Sequence, residues 1–386
     1  MDEQEQRVRF VIEASRGEKT MTQLCREYGV SRPTGYEWRR RYEQGGIRAV
    51  QEHSRRPRHS PGRTEGETEQ RVITLRRQRP DWGARKLQRL LEREGEAISR
   101  STVHRVLLRH GLVREEDRRR PAPRRFERGA PNQLWQMDFK SPKGWGLAVG
   151  PLSVCDDHSR YVITLAATGT TRGEAVRAQL EEAFLRCGVP EEMLMDHGCP
   201  WWNGQAPGGW TRLWVWLMKQ GIRCWLSGVR HPQTQGKVER FHGALEMARR
   251  RRGLPEPAQY QAWLDEFRRE YNEVRPHEAL GDDTPASRWH PSRWRYCPDP
   301  PEWDYGPEVE VQRLGKTGQL YLHGRCWPVS EALAHEPVGL VRVRDRILVY
   351  SCTSLIRELD LIGQRSVATD RWPQPEMCKG CPDNEV

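Results

Sequence analysis

Nowhere in the 386 residues do about 18 apolar positions run together, so no transmembrane helix is expected. The opening MDEQEQRVRF is charged and lacks the apolar core of a secretory signal, which leads us to expect an intracellular, soluble protein. The ten cysteines are scattered without framework spacing, which argues against a disulfide scaffold and suits a reducing cytoplasm. One close pair exists, Cys378 and Cys381 in CKGCP, but no second CxxC or HxxxH is available to complete a zinc set. A tail is the expected reading of residues 371–386. Lysine is scarce as well: only eight of the 64 basic residues are lysine, the rest being arginine. Arginine's planar fork suits phosphate, although genomic base composition produces the same bias.

What is present is a lopsided charge. Residues 1–130 hold 32 Lys and Arg against 20 Asp and Glu, whereas the remaining 256 residues hold 32 against 33. The excess of positive charge therefore lies in the first third. A nucleic-acid partner is the natural expectation, because neutralising phosphates releases counterions.

That basic third reads as helices. Residues 1–50 show helix signals from about Gln6 to Arg16 and from Met21 to Tyr28, then a turn at Gly29–Ser31 and a helix in RPTGYEWRRRYEQ. Ser31 is an N-cap candidate and Pro33 suits a first turn. Two short helices about a glycine turn make a helix-turn-helix, whose second helix would present Arg32, Thr34 and Arg39 to the major groove. SRRPRHSPGR, residues 54–63, reads as a linker. Residues 64–113 repeat the plan in WGARKLQRLLEREG and SRSTVHRVLLRHGL, with Gly95 closing one helix and Ser99 or Ser101 capping the next. A basic, proline-broken linker over 114–130 follows.

The pattern then changes to short apolar runs, LWQMDF, GLAVGPLSVC, RYVITLAA and EMLM, with the helical RGEAVRAQLEEAFLRCG between them. Alternating strands and helices predict an α/β core with a mixed sheet over 131–290. Beyond it, GQLYLHGRCWPV and GLVRVRDRILVYS read as β-hairpins of a small domain over 300–370.

Three acids occupy positions that strand ends and helices bring together. Asp138 lies in LWQMDF, Asp196 follows EMLM, and Glu239 sits on an amphipathic helix whose apolar stripe is Val238, Phe241, Leu245 and Ala248. Clustered carboxylates need counter-charge. Oxygen-only ligands suit Mg²⁺ or Mn²⁺, and two such ions can bind the attacking and leaving oxygens of a phosphoryl displacement.

Four stretches in chain order, WQMDF, MDHGCP, HPQTQGKVERFH and NEVRPHEAL, resemble the signatures of the DDE transposases and integrases, most closely the bacterial insertion-sequence transposases. The resemblance covers about residues 20–290 and implies a ribonuclease-H-like integrase core with a mixed five-stranded sheet, followed by a small β-barrel-like C-terminal domain. It implies that Asp138, Asp196 and Glu239 are the metal-binding and catalytic triad, holding two Mg²⁺ or Mn²⁺ ions. The implied activity is nicking at element ends and attack of the freed 3′-OH on target DNA. The implied partners are double-stranded DNA, as terminal inverted repeats and target, and further copies of the chain, a dimer or more. A cytoplasmic, nucleoid-associated location goes with that reading, and no membrane. A domesticated or inactive transposase that only binds DNA is the rival reading, and a nuclease of RNA–DNA hybrids is another.

One position departs from the family pattern, which more often has asparagine where this chain has His197. His197 and His242 are read as residues supporting the acids, and Lys237 and Arg240 as phosphate contacts. Asp156 and Asp157 are as close as a catalytic pair but fall between strand runs, where aspartate is at home in a turn. Arg275 and His277 are expected to pack the last helix and meet the DNA backbone. Trp201, Trp202, Trp210, Trp214 and Trp216 could stack on bases, but core packing is the favoured reading.

Overall fold

The computed structural model describes residues 3–50, 64–113, 127–206, 209–227 and 236–368. The linker at 54–63, most of the connector at 114–130, and the Cys378 and Cys381 pair lie outside them. The chain divides into two compact units, residues 1–64 and 65–386. No helix among the described residues is long and apolar enough to cross a membrane.

The first unit packs α1 (Glu3–Arg16), α2 (Met21–Glu27) and α3 (Arg32–Ala49) around Phe10, Val11 and Leu24. Thr20 and Gln23 form a capping box at the start of α2, and the Ser31 hydroxyl accepts from the Thr34 amide at the start of α3. Helix α3 runs past the expected RPTGYEWRRRYEQ and bends at Gly45 and Gly46, where Gly46 takes φ +66°. Gly35 is buried there, where a β-carbon would lie 2.7 Å from the Cys25 sulfur.

The second unit opens with another three-helix bundle, α4 (Gly66–Gln78), α5 (Ala84–Arg93) and α6 (Arg100–Arg109). Its core is Val72, Trp82, Leu87, Leu91, Val103 and Leu107. Of the two serines open as the cap of α6, Ser99 serves, accepting from the Thr102 amide.

Five strands follow: β1 (Leu134–Phe139), β2 (Leu152–Asp156), β3 (Val162–Ala166), β4 (Glu192–Met195) and β5 (Arg223–Leu226). Their spatial order is β3-β2-β1-β4-β5, antiparallel from β3 to β1 and parallel from β1 to β5. The strand expected in GLAVGPLSVC begins only at Leu152, residues 147–149 being bends, and β5 is a short strand with little apolar run of its own.

Every residue of β2, β3 and β4 is buried, because helices cover both faces. Leu152, Val154 and Ile163 join the cluster formed with α7 (Gly173–Cys187) and α8 (Arg212–Lys219). Cys155, Val162 and Leu165 face the other way, onto α9 (Gly236–Arg252) and α10 (Tyr260–Arg269). Of the tryptophans, Trp201, Trp210, Trp214 and Trp216 are core, and Trp202 is half-buried.

The C-terminal segment corrects one expectation. Its strands β6 (Glu310–Arg313), β9 (Pro337–Val343), β10 (Arg346–Ser351), β11 (Ser354–Asp360) and β12 (Arg365–Ala368) form a sheet in the order β12-β11-β10-β9-β6, and β7 (Gln319–Leu322) pairs only with β8 (Arg325–Pro328). Both sheets are open, so the domain is not a β-barrel. A barrel hides its apolar face by closing on itself. Here Val338, Leu340, Val349 and Ile356 are already covered, joining Leu320 and Trp327 of the hairpin in the α7–α8 cluster of the core.

Candidate active site

The parallel pairing of β1 with β4 brings two of the three acids to one end of the sheet. Asp138 is the next-to-last residue of β1, and Asp196 comes directly after β4. Ligand crevices in such sheets lie outside the carboxyl ends of the strands. Helix α9 packs on β1 and β2 through Val238, Phe241 and Leu245, which leaves Glu239 exposed in its first turn.

Asp138 senses the other two carboxyls. Burial, then the charge of Asp196 and that of Glu239, push the Asp138 carboxyl from 3.8 up to about 7. Among the described residues, however, no three His, Cys, Asp or Glu side chains converge closely enough to enclose a metal ion. What the site offers is hard oxygen donors and a repulsion that a cation would relieve.

Asp196 is held from one side. Its Oδ1 accepts from the Gly198 amide at 2.8 Å and from the Trp201 indole N–H at 2.6 Å. Trp201 in turn stacks on Phe139 of β1, with ring centroids 5.6 Å apart. A β-carbon at Gly198 would lie 2.8 Å from Asp196 Oδ1, so a larger residue would displace that carboxylate. His197 is exposed and meets Trp202 edge-on at 5.7 Å.

Behind Asp138 stands His242, three residues after Glu239 on α9. Its Nε2 is 3.1 Å from the Ser153 hydroxyl, and Ser153 is the β2 partner of Asp138 in the sheet register. Its Nδ1 is 3.7 Å from Asp138 Oδ2, too long for a hydrogen bond. Burial pushes the imidazole down to about 3, so His242 is neutral at physiological pH. One turn further, Glu246 is bound by Arg249 and Arg250, which hold its carboxyl down at about 2.

The aspartate pair between β2 and β3 is structural. Asp156 accepts from the amides of Asn132 and Ser159, and Asp157 accepts from the Arg128 amide and Gln136. Asp157 also takes Lys237 as an ion pair at 2.9 Å, with both side chains nearly or fully buried. Lys237 is thus engaged inside the protein. Arg240, a turn later, is exposed and makes no hydrogen bond or ion pair among the described residues.

Comparison with known proteins bears on the domains that carry this site. Residues 128–232 and 220–285 match the integrase core domain family, residues 6–58 a helix-turn-helix domain, and residues 34–107 a homeodomain-like domain. An uncharacterized 31.7 kDa protein of insertion element IS407 from Burkholderia multivorans is 27% identical over 224 residues, 56% of this chain and 78% of that protein. A 39.2 kDa protein of insertion element IS476 from Xanthomonas euvesicatoria is 26% identical over 223 residues, 56% of this chain and 62% of that protein. Protein YlbG of Escherichia coli is 35% identical over 92 residues, 24% of this chain and 75% of its own. Integrase-core and helix-turn-helix domains in one chain, with insertion-element proteins among its relatives, support an insertion-sequence transposase.

Among solved structures the transposase is similar to the simian T-cell lymphotropic virus intasome in complex with PP2A regulatory subunit B56 gamma, at TM-score 0.38 and 14% identity over 77% of this chain and 96% of that one. It is also similar to the HTLV-2 integrase catalytic core domain in complex with magnesium, at TM-score 0.32 and 16% identity over 42% and 99%.

The transposase carries helix-turn-helix DNA-binding domains, and the residues read as its groove contacts sit in the first unit. Arg32 is exposed at the start of α3. The Thr34 hydroxyl is 2.7 Å from that of Ser31, inside the cap, and Arg39 is exposed in an ion pair with Glu43 at 2.7 Å. Two supporting residues escaped the sequence reading. Trp201 was grouped with its neighbours as core, and nothing in a run of tryptophans tells which indole N–H meets an acid. Ser153 would have been found by aligning the first two strands, because it stands opposite Asp138.

Proposed function

We propose that this transposase cuts DNA at the ends of its element and joins the freed 3′-OH to target DNA, using Asp138, Asp196 and Glu239 as the metal-binding acids. The observation that carries the reading is the Asp138 carboxyl, half-buried at the end of β1 and raised to about 7 by desolvation and by the charges of the other two. Such a group calls for cationic partners, and an all-oxygen donor set favours Mg²⁺ or Mn²⁺. Asp138, Asp196 and Glu239 would hold such ions, which would supply charge stabilisation to a phosphoryl displacement.

The chain's own residues prepare for that chemistry. Trp201 and Gly198 fix one oxygen of Asp196 and leave the other without a hydrogen bond among the described residues. Neutral His242, held by Ser153, packs behind Asp138 without adding charge. Glu239 stands at the exposed start of α9, where DNA can approach it. Holding two element ends together requires at least a dimer, with the helix-turn-helix units reading the terminal repeats.

Glu239→Gln tests the assignment. The variant should bind labelled end duplex as the parent does, while nicking and joining in Mg²⁺ fall below detection. Retained cleavage would sink the triad. A parent protein that binds such a duplex tightly and never nicks it would favour a purely DNA-binding descendant.

A further inference from the structure

Glu239 is exposed and makes no hydrogen bond or ion pair among the described residues. Its reach toward Asp138 therefore depends on where the backbone of the first turn of α9 is held. Apolar packing of Val238, Phe241 and Leu245 is non-directional, so it selects the buried face of the helix more firmly than its position along β1.

Polar contacts fix that position. The Val238 amide is one of the first-turn donors that have no carbonyl partner inside a helix. It donates to Gln136 Oε1 at 3.3 Å, and Gln136 is fully buried on β1. Gln136 Nε2 in turn donates to Asp157 Oδ1 at 2.8 Å. The carboxamide can stand only this way round, because a backbone N–H only donates and a carboxylate only accepts. Lys237 Nζ closes the ring, donating to the same Asp157 oxygen at 2.9 Å. Asp157 is itself fixed: its Oδ2 accepts from the Arg128 amide at 2.8 Å, and its own amide donates to the Leu134 carbonyl at 2.9 Å. One fully buried carboxylate thus ties the start of α9 to β1 and to the turn after β2.

The spacings agree. Gln136 and Asp138 share a face of β1, two residues or about 6.6 Å apart. Val238 and His242 are four residues apart on α9, an advance of about 6 Å. Val238 can therefore sit over Gln136 while His242 meets Asp138, where Nδ1 lies 3.7 Å from Oδ2. A slip of one helical turn would carry Glu239 about 5.4 Å along the strand.

We propose that Gln136, Asp157 and Lys237 are positioning residues: they set the register of α9 on β1 and so hold Glu239 within reach of a cation shared with Asp138. The inference rests on the metal-binding reading of the three acids. It gives the buried Lys237–Asp157 pair a use beyond bracing the turn between β2 and β3.

The full chain without DNA tests this, with Mn²⁺ alone as the probe and the EPR signal of the unbound ion as the measure of binding. Gln136→Met removes both carboxamide hydrogen bonds, and Lys237→Met removes the ammonium while leaving Asp157 its Arg128 and Gln136 donors. Each should weaken Mn²⁺ binding at least about tenfold, the loss typical when a residue that orients a metal ligand is replaced. Lys237→Arg, which keeps the charge, should recover most of that loss. Amide hydrogen exchange in chelator, read on peptides covering residues 236–242, should quicken in both Met variants. Quickened exchange with unchanged Mn²⁺ affinity would mean that the network braces the fold alone, and overturns the proposal. Should the Met variants fail to fold, the parent decides: fast exchange over the first turn of α9 in chelator overturns the proposal, and slow exchange supports it. Glu239→Gln should weaken Mn²⁺ binding while exchange stays slow. If it binds Mn²⁺ as the parent does, the triad reading fails; if it weakens binding and the Met variants do not, only the positioning role fails.

Discussion

Asp138 concentrates the physics of the candidate site in one carboxyl. Its folded-state pKa of about 7 lies above the ordinary 3.8, so the folded chain holds that proton more tightly than the unfolded chain does. Stability is therefore lost as pH rises between those two values. Asp138→Asn removes this titration. Without divalent cations, its advantage over the parent should be small near pH 4 and grow to as much as about 4 kcal/mol above pH 7, each pKa unit being worth about 1.4 kcal/mol. His242 and His277, both pushed down to about 3, act in the opposite sense and weaken the fold as pH falls below about 6.5. The difference between variant and parent isolates Asp138 from them. Urea unfolding in chelator at about pH 5 and about pH 8 checks it, and a difference that stays constant would refute the raised pKa. The strand ends and the amphipathic helix that carry the three acids were legible in the sequence, whereas their grouping as a triad came from the family resemblance. The indole of Trp201 and the hydroxyl of Ser153 were not legible, because a hydrogen bond between residues five or more apart depends on the register and turn geometry that bring them together.

At the scale of elements, the arginines of α5 show where charge counting fails. The basic first third was read as a DNA-facing surface. Yet Arg85 and Arg89 clasp Asp282, and Arg93 donates to the carbonyls of Val274 and Asp282, so this row fastens the α4–α6 bundle to the catalytic core. A second clasp is Asp81, fully buried, which receives Arg252 at 2.6 Å and Arg275 at 3.1 Å. Removing one member of a buried pair leaves charge uncompensated and costs about 3–5 kcal/mol. Asp81→Ala should destabilise the protein by that order and speed amide exchange across α4–α6. Glu43→Ala, which breaks the exposed pair with Arg39, should cost under about 1 kcal/mol. Equal effects of the two substitutions in denaturant titrations would contradict the clasp. Helices and long apolar strands were readable from periodicity and caps. The open form of the C-terminal sheet was not, since alternation marks a buried face without saying what covers it; here the β7–β8 hairpin and the α7–α8 layer do.

For the whole molecule, the charge imbalance becomes a statement about how DNA is held. Residues 1–64 form a compact unit with 14 basic and 9 acidic side chains, and residues 65–130 add 18 against 11. Several of the latter are spent inside the protein, Arg85 and Arg89 on Asp282 and Arg109 on Glu69. Sequence-independent affinity is therefore expected to draw on both units. Each phosphate neutralised contributes about 0.9 to the slope of log K against log salt. A chain beginning at residue 65 should still bind duplex of any sequence, with a shallower slope than the parent. It should lose most of its preference for end sequences over random duplex, because the exposed start of α3 with Arg32 goes with the deleted unit. Titrations at several salt concentrations, run in parallel on end and random duplex, measure both quantities. An unchanged slope would mean that the first unit reads DNA without neutralising phosphate, and unchanged preference would move sequence recognition to α6, where Arg100 and Arg105 are exposed.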